Sequence, residues 1–513
     1  MPIGEGRDMK GQIEKKLWIL LLFGLVIRLV GLHAEPPALN SDELIKAYDG
    51  ACVYLTARDH HGDFLPIFFR QSGEYSPPFY IYLAGLFSAP FGINPYTVRF
   101  PSALLGTLTI LAAYLFGKAC FDKRFALVLA GLVAVSPWNL HYSRIGWEAI
   151  SLVFIQLCAF TAFYRWLNTR GIAYMIAAAV FFGLTVYTYP TSKLYTPLLL
   201  LTLAGIYRKE WKEHASHFAT GFGIFLLMMA PYLYILASIQ SALEARWQFL
   251  SVFQYPNGWA MFFPHYVWHY SPNFLFLQGD ANPLHAMPGG ICLLVLAPFF
   301  LAGLWRILAE RKKEHLFLLF WFLTFPIPSA MTYDRFDLYS MPNALRSVAG
   351  MPVLAVICAL GILYFYQKIP KSQYKNIYKV ALITLIAVNL GWVGFLSCRH
   401  SLSELETWQY GIPELVVYVE EHKKDYDKVV ISHKIGLHPV ALASFSGREI
   451  KPFTGADFPK YILPFFHYVP IYGDFGHREY LKYKTMAKWY NLAKGNLLLA
   501  AKAGVIRAQP IHA

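Results

Sequence analysis

The apolar run LWILLLFGLVIRLVGL at residues 17–32 is followed at residues 40–50 by NSDELIKAYDG, and these two stretches together decide the fold class. The first stretch has nearly the length that a membrane-spanning helix needs. The second places two adjacent carboxylates, Asp42 and Glu43, where that membrane segment has just ended. An acidic pair at this position requires an explanation.

The composition of the whole chain is that of a polytopic α-helical membrane protein. Of its 513 residues 56% are hydrophobic and 15% are charged, and the mean hydropathy is +0.39. The basic first 16 residues precede an apolar run with no small-residue cleavage pattern behind it, so we expect an uncleaved first span. The net charge of +14 does not require a nucleic-acid partner, because Lys and Arg at membrane ends set orientation.

Apolar segments alternate with loops along the chain, and every second loop is rich in Lys and Arg. The positive-inside rule assigns these basic loops and the N-terminus to the cytoplasm, and everything after residue 398 to the outside. The apolar piece at 76–90 must then be interfacial, re-entrant or packed within the protein. The predicted spans lie at 17–32, 98–117, 125–140, 149–167, 171–189, 193–207, 217–237, 287–305, 315–331, 346–366 and 378–397.

Two domains follow from this threading. Residues 1–398 form a transmembrane domain of about 11 to 13 transmembrane helices, with a first outside loop at 33–97 and a long outside loop at 238–286. Residues 399–513 form a small extracytoplasmic α/β domain. In that domain GIPELVVYVEEHKK predicts a helix and YDKVVISHK predicts a strand.

The acidic pair begins a segment with helical periodicity. In SDELIKAYDGACVYLTARD the apolar residues recur at helical spacing, which predicts an amphipathic helix on the outer membrane surface, capped by Asn40 or Ser41. Acidic residues in the first turn of such a helix are stabilised by its dipole by roughly 0.3–1 kcal/mol. This purely structural explanation competes with a role in chemistry at the membrane boundary.

A second polar cluster, SPWNLHYSRIGWEAI at 136–150, is predicted on the same face. Arg144 and Glu148 are four residues apart, so a helical ion pair would explain both. Glu148 also begins an otherwise apolar span, however, where an ionisable residue is expensive and commonly functional. Both explanations remain open from the residues alone.

The remaining candidates lie in later outside loops. Asp280 and His285 could bind a metal or an acceptor, or could simply shape a turn that is rich in Gly, Asn and Pro. Arg346 at an outer boundary could snorkel or could bind a lipid phosphate through its planar guanidinium. No arrangement of His and carboxylates reproduces a metal site, and no phosphate-binding glycine loop is present, so we predict neither metal nor cofactor.

Three stretches then carry a resemblance: PPALNSDELIKAYDG, SPPFYIYLAGLFSAPFGINPYTVRFPSALLGTLTILAAYLFGKACF and SPWNLHYSRIGWEA. In order and spacing they resemble the membrane glycosyltransferases that use polyprenyl-phosphate sugars, the superfamily of protein O-mannosyltransferases and aminoarabinose transferases. The resemblance covers about residues 17–400 and implies a GT-C fold with a catalytic cavity that opens outward. It makes Asp42 the essential first-loop acid, with Glu43 beside it, and Glu148 the second acid.

Two departures from that pattern concern the donor phosphate. Related transferases often carry a Lys before the proline pair and an Arg soon after the acidic pair. Here Ser76 precedes the prolines, and Ile45 and Lys46 follow the acids. Lys46 and Arg346 are therefore the candidates for the phosphate contact, and Arg144, Asp280 and His285 complete the candidate substrate-binding set.

The expected activity is transfer of a mannose-like hexose or related sugar from a polyprenyl phosphate to a hydroxyl of a protein, lipid or glycan acceptor. Asp42 would act as general base, and Glu148 would orient the acceptor or tune the pKa of Asp42. A single base opposite a departing phosphate suggests inversion, by analogy with inverting hydrolysis. A transporter or flippase of lipid-linked substrates and an oligosaccharide ligase remain as alternatives.

Overall fold

The computed structural model of the chain is predominantly helical. It describes residues 3–71, 74–238, 250–333, 341–405, 407–425, 428–431, 437–453, 461–462, 497–502 and 505–510. The chain divides into two compact units. The first comprises Met1–Leu32, Ser102–Ser238 and Trp247–Ser403, and the second comprises His33–Pro101, Ile239–Arg246 and Glu404–Ala513.

This division groups the first outside loop with the C-terminal segment, whereas the sequence pattern placed that loop with the transmembrane domain. The predicted boundary at 398 lies close to Glu404, where the last segment of the second unit begins. Compactness in space, rather than position along the chain, therefore joins these two segments into one unit.

In the described ranges the two units contain nineteen α-helices. They are α1 Ile3–Leu29, α2 Ser41–Thr56, α3 Pro78–Phe91, α4 Pro95–Cys120, α5 Lys123–Ala134, α6 Pro137–Tyr142, α7 Ala149–Thr169, α8 Ile172–Thr185, α9 Ser192–Ile206, α10 Arg208–Glu213, α11 Ala215–Ser238, α12 Gly258–Trp268, α13 Ala297–Glu310, α14 Lys313–Thr324, α15 Ile327–Ala330, α16 Met351–Lys368, α17 Ser372–Ser403, α18 Ile412–His422 and α19 Pro439–Phe445.

Helices of membrane-spanning length occur at five of the eleven predicted spans in the part of the chain that the structure describes. Within the described part of the chain, five helical segments are long and apolar enough to cross a bilayer, and each lies at a predicted span. The apolar helices α8 and α9 are shorter and lie at two further predicted spans. The five long segments are Pro95–Cys120, Ala149–Thr169, Ala215–Ser238, Val348–Lys368 and Ser372–Ser403.

The apolar piece that we expected not to cross forms α3. Its 14 residues span about 21 Å, which is less than the roughly 30 Å thickness of a bilayer core. It packs on α2 at a point where Gly50 and Gly85 bring the two backbones together. A Cβ atom on Gly50 would lie 2.2 Å from the carbonyl oxygen of Ile81, and one on Gly85 would lie 2.4 Å from the carbonyl carbon of Gly50.

Strands occur only in the second unit among the described residues. β1 Phe69–Gln71 and β2 Glu74–Ser76 form an antiparallel hairpin. The C-terminal sheet has the order β4-β3-β5-β6, with β3 and β4 parallel and the other pairs antiparallel. The predicted C-terminal helix and strand are present as α18 and β3. The strands of this sheet are β3 Lys428–Ile431, β4 Tyr461–Ile462, β5 Leu497–Lys502 and β6 Val505–Pro510.

The environment of α2 differs from the sequence expectation. Its helical periodicity correctly predicted a helix, but all residues from Glu43 to Val53 are buried. Leu44 and Tyr48 of α2 belong to one apolar cluster with residues of α18 and α19. A helix at a membrane surface and a helix between two protein layers carry the same apolar stripe, and only the fold distinguishes them. The C-terminal members of the cluster are Ile412, Leu415, Val416, Val419, Leu437, Val440, Ala441, Leu442 and Ala443.

Candidate active site

The first turn of α2 begins with a capping box. Asn40 has extended backbone angles, and its side-chain oxygen accepts a hydrogen bond from the Glu43 amide at 3.0 Å. The Glu43 carboxylate accepts one in return from the Asn40 amide at 3.2 Å. These bonds satisfy two backbone donors that the helix itself leaves without partners. Asn40, rather than Ser41, is therefore the cap.

The Glu43 side chain has a structural role within the second unit. Its carboxylate receives two hydrogen bonds from the guanidinium of Arg99, at 2.8 and 3.0 Å, and both side chains are fully buried. Arg99 also donates to the carbonyl oxygens of Pro36, at 2.8 Å, and Ala38. Such a bidentate buried pair fixes both partners, since separating them would leave an uncompensated charge. Glu43 thus anchors α2 from the side that follows Asp42.

Asp42 has the opposite environment. Its side chain is exposed, and its carboxylate has no hydrogen bond or ion pair within the described residues. The preceding residue, Ser41, donates through its amide and its hydroxyl to the side-chain oxygen of Gln409, at 2.7 and 2.9 Å. The ammonium of Lys46 lies 3.4 Å from the backbone oxygen of Asp42. Asp42 is thus an available carboxylate between two anchored neighbours.

Histidines and a further carboxylate lie close to this helix start. The fully buried Asp49 on α2 contacts the ring of His60 and accepts a hydrogen bond from the side-chain nitrogen of Gln71 at 2.9 Å. His438 caps α19, because its Nδ1 accepts from the Val440 amide at 3.2 Å. Burial, together with the charge of His60, lowers the pKa of His438 to about 4, although the charge of Asp42 opposes this change. His438 is therefore neutral at neutral pH.

The first unit carries the other predicted acid, Glu148. This residue directly precedes α7, as the sequence predicts, and Tyr189 lies within electrostatic range of both Glu148 and Arg346. Arg346 donates to the Thr332 hydroxyl at 3.0 Å, and its amide donates to the Asn343 side chain at 2.8 Å. Glu148 and Arg346 therefore form one polar cluster with Tyr189.

Asp280 and His285 are also brought together in the first unit. Their Oδ2 and Nδ1 atoms are 3.3 Å apart, and Oδ2 accepts from the Ala344 amide at 2.7 Å. The other Asp280 oxygen accepts from the Asn282 amide two residues on, at 2.9 Å, which is the turn-shaping bond that the composition suggested. The side-chain nitrogen of Asn343 lies 3.2 Å from His285 Nδ1, so this pair joins two loops that are far apart in sequence.

Arg144 is engaged with the end of α1. Its guanidinium donates to the carbonyl oxygens of Ile27, Arg28 and Val30 at 2.9 to 3.2 Å. Carbonyls at a helix C-terminus lack partners within the helix, and a cation there also meets the favourable end of the dipole. Residues 143–148 form turns and bends, so the spacing of four does not place Arg144 and Glu148 on one helical face as the ion-pair explanation required.

Several residues that the structure places around these groups could not be predicted from the sequence. Arg99 lies within a quoted stretch in which nothing sets it apart, and no motif marks Tyr189. Gln409 had no detectable signal, because it follows Ser41 by 368 positions. In the described ranges, no three His, Cys, Asp or Glu side chains are close enough together to hold a metal ion.

Fold and site together define a helical membrane protein with an exposed carboxylate at the start of a buried helix, one that has no hydrogen bond or ion pair within the described residues. Such a group can take a proton from a hydroxyl.

Residues 75–235 match the family model described as dolichyl-phosphate-mannose-protein mannosyltransferase. Dolichyl-phosphooligosaccharide-protein glycotransferase 3 of Archaeoglobus fulgidus is 29% identical over 197 residues, which is 33% of this chain and 23% of that relative. The chain thus spans less than a quarter of the relative's length.

Solved structures show the same fold at low sequence identity. ArnT from Cupriavidus metallidurans bound to undecaprenyl phosphate has a TM-score of 0.55 at 14% identity, over 83% of this chain and 84% of that one. The apo oligosaccharyltransferase of Archaeoglobus fulgidus has a TM-score of 0.53 at 17% identity, over 85% and 64%. The chain is thus similar in part of its sequence to these mannosyltransferases and to the archaeal glycotransferase, and in its fold to ArnT and to the archaeal oligosaccharyltransferase. The resemblance seen in the three sequence stretches is confirmed.

Proposed function

We propose that this protein transfers a mannose-like hexose or related sugar from a polyprenyl-phosphate donor to a hydroxyl group of a protein, lipid or glycan. The transfer takes place on the extracytoplasmic face of the cell membrane. Asp42 is the general base. The observation that carries the proposal is the environment of Asp42, whose exposed carboxylate has no hydrogen bond or ion pair within the described residues while both of its neighbours in sequence are anchored.

The reaction is a direct displacement at the anomeric carbon of the sugar. As the acceptor hydroxyl oxygen attacks that carbon, Asp42 accepts the proton of the hydroxyl. The bond from the anomeric carbon to the phosphate oxygen breaks, and the electron pair leaves with the polyprenyl phosphate. Attack opposite the departing group inverts the configuration. A general base in this position contributes about 10²- to 10⁴-fold to the rate.

The departing phosphate gains negative charge, which a cation must stabilise. We assign this role to Lys46, which lies one turn after Asp42 on α2 of the same unit. Arg346 and Glu148 of the first unit remain the candidates that the sequence offers for the phosphate contact and for orienting the acceptor.

The donor class is supported by the solved relatives. ArnT was crystallised with undecaprenyl phosphate, and AglB from Archaeoglobus fulgidus, which has a TM-score of 0.50 and 17% identity over 85% of this chain and 61% of that one, is in complex with a dolichol phosphate and an inhibitory peptide. Both lipids are polyprenyl phosphates. A donor of this class delivers its sugar at the membrane boundary without a nucleotide.

The test is sugar transfer by membranes that contain equal amounts of the wild-type protein or of Asp42→Asn. The assay follows a radiolabelled hexose from a polyprenyl-phosphate donor. The matched control is Asp63→Asn, which removes another exposed carboxylate of the second unit, one whose partner is the equally exposed Arg70. We expect transfer by Asp42→Asn to fall at least about 100-fold, and transfer by Asp63→Asn to stay within twofold of the wild type.

Three results would count against the proposal. Undiminished transfer by Asp42→Asn would mean that Asp42 stabilises α2 through the helix dipole and is not the general base. An equal loss in both variants would show that the assay responds to charge on this unit rather than to a base. Absence of transfer by the wild-type chain with several polyprenyl-phosphate sugars would reject the donor class.

Transfer of a whole oligosaccharide is a second candidate function. It is favoured by the archaeal relative, which is described as an oligosaccharide-protein glycotransferase. Supplying membranes with a lipid-linked oligosaccharide and with a lipid-linked monosaccharide in parallel separates the two. Label appearing on the acceptor from the oligosaccharide donor alone would replace the monosaccharide proposal.

A further inference from the structure

Gln409, which belongs to the C-terminal segment of the second unit, binds the start of α2. Its side-chain oxygen accepts both the Ser41 amide and the Ser41 hydroxyl, at 2.7 and 2.9 Å. The Ser41 amide is one of the backbone donors that a helix start leaves without an internal partner. The capping box binds the residues at either end of this turn, Asn40 and Glu43. Gln409 therefore holds the residue immediately before Asp42.

The backbone of Gln409 has a conformation that a non-glycine residue adopts only under constraint. Its φ angle is +56°, in the left-handed region. Such a conformation costs of order 1–3 kcal/mol and persists where the surrounding structure demands it. The carbonyl of Gln409 also accepts a hydrogen bond from the amide of Ile412, the first residue of α18. One strained residue thus starts α18 through its backbone and binds α2 through its side chain.

A carboxylate that accepts a proton in a displacement must point at the hydroxyl, and a misplacement of about 1 Å can cost roughly 100-fold in rate. Asp42 receives no orienting bond of its own within the described residues. Its direction depends on the backbone of the turn that carries it. That turn is fixed on one side by Arg99 through Glu43, and on the other side by Gln409 through Ser41.

We propose that Gln409 is a positioning residue for Asp42: by holding Ser41 it fixes the first turn of α2 and the direction of the catalytic carboxylate. This inference rests on the proposed function, because it assigns a role toward the base named there. It also gives the C-terminal segment a part in the active site.

Gln409→Gly separates the side chain from the backbone. Glycine adopts a positive φ freely, so the turn that starts α18 is kept and its strain is relieved, but both bonds to Ser41 are lost. We expect kcat for sugar transfer to fall about 10- to 100-fold with little change in KM, while the unfolding temperature does not decrease. The matched control is Thr407→Val, which removes a hydrogen bond to Glu404 within the same loop and leaves Gln409 in place.

Gln409→Glu provides the conservative variant. A carboxylate of the same length can still accept both Ser41 bonds, so geometry is retained. Its negative charge lies near Asp42 and disfavours ionisation of the base, which moves the acid limb of the pH–rate profile to higher pH. A residue with only a structural role would not move that limb. The other charged or titratable groups around this end of α2 are Glu43, Lys46, Asp49, His60, His61, Arg99 and His438.

Hydrogen exchange at the amides of residues 41–44 gives a readout that does not depend on activity. We expect faster exchange there in Gln409→Gly and wild-type exchange in Thr407→Val. Wild-type kcat and wild-type exchange in Gln409→Gly would overturn the inference while leaving the general-base proposal intact. Failure of the wild-type chain to transfer any sugar would instead reject the proposed function, and the exchange data would still show whether Gln409 holds the turn.

Discussion

At the scale of single residues, adjacent side chains of the same charge have opposite environments. Glu43 is fully buried against Arg99, whereas Asp42 is exposed. Burying a charge is costly unless it is paired and hydrogen-bonded, and Glu43 meets that condition through Arg99 and the Asn40 amide. Glu43 therefore has a structural role, and Asp42 is left available for the role that we propose for it.

Removing one partner of the buried pair should be severe. Glu43→Ala leaves the guanidinium of Arg99 buried without its counterion, and we expect a loss of about 3–5 kcal/mol in the free energy of unfolding. Thermal unfolding of the detergent-solubilised protein measures it. The exposed Arg70–Asp63 pair offers the comparison, since Asp63→Ala should cost at most about 1 kcal/mol. Equal effects of the two substitutions would contradict the assignment of Glu43 as an anchor.

The sequence predicted this site in part. The position of the acidic pair after an apolar run, and the helical spacing that follows, were enough to expect a capped helix with a functional acid at its start. Nothing local distinguishes Asp42 from Glu43, because the distinction depends on Arg99, which follows Glu43 by 56 positions. The role of Gln409 could not be predicted from the sequence for the same reason. Pairings between distant segments leave no periodic trace in a single sequence.

At the scale of secondary-structure elements, the contact between α2 and α3 depends on two glycines. Gly50→Ala would place a Cβ atom 2.2 Å from a backbone oxygen of α3, and Gly85→Ala would place one 2.4 Å from the backbone of α2. Backbone atoms cannot move aside as side chains do, so the helices must separate. We expect either substitution to lower the unfolding temperature and to reduce sugar transfer at least tenfold, because α2 carries Asp42.

Gly131→Ala on α5 is the matched control for this contact. A Cβ atom at that position meets nothing within 4 Å, and alanine favours a helix over glycine by about 1 kcal/mol. We expect unchanged or slightly raised stability and unchanged transfer. If Gly50→Ala and Gly85→Ala behave like Gly131→Ala, the two helices do not approach as closely as the structure shows.

At the scale of the whole molecule, the direction of the chain through the membrane is a prediction from its basic loops. Five long apolar helical segments match predicted spans, but α3 decides the orientation of everything after it, since an additional crossing there would invert the later loops. The amphipathic α2 shows why sequence pattern is insufficient at this point. Its pattern suggested a membrane surface, and the structure instead places α2 beneath helices of its own unit.

Cys398 provides the test of that orientation. It is exposed near the end of α17, whereas the other cysteines are buried or partly buried. We expect a membrane-impermeant maleimide to label Cys398 in intact cells, and Cys398→Ser to abolish the labelling. Lys312→Cys, placed in a basic loop of the Cys398→Ser protein, should be labelled only after permeabilisation. The reverse pattern would mean that residues 76–90 cross the membrane.

The bond between Ser41 and Gln409 also orders events during biosynthesis. Gln409 is translated 368 residues after Ser41, which at about 5–20 residues per second is a delay of roughly 20 to 70 s. Throughout that interval the apolar stripe of α2 has left the ribosome without the helices that later cover it. In the nascent chain that stripe must rest on the bilayer or on a chaperone. A polypeptide that stops before Gln409 cannot form the hydrogen bonds to Ser41 that hold the turn carrying Asp42.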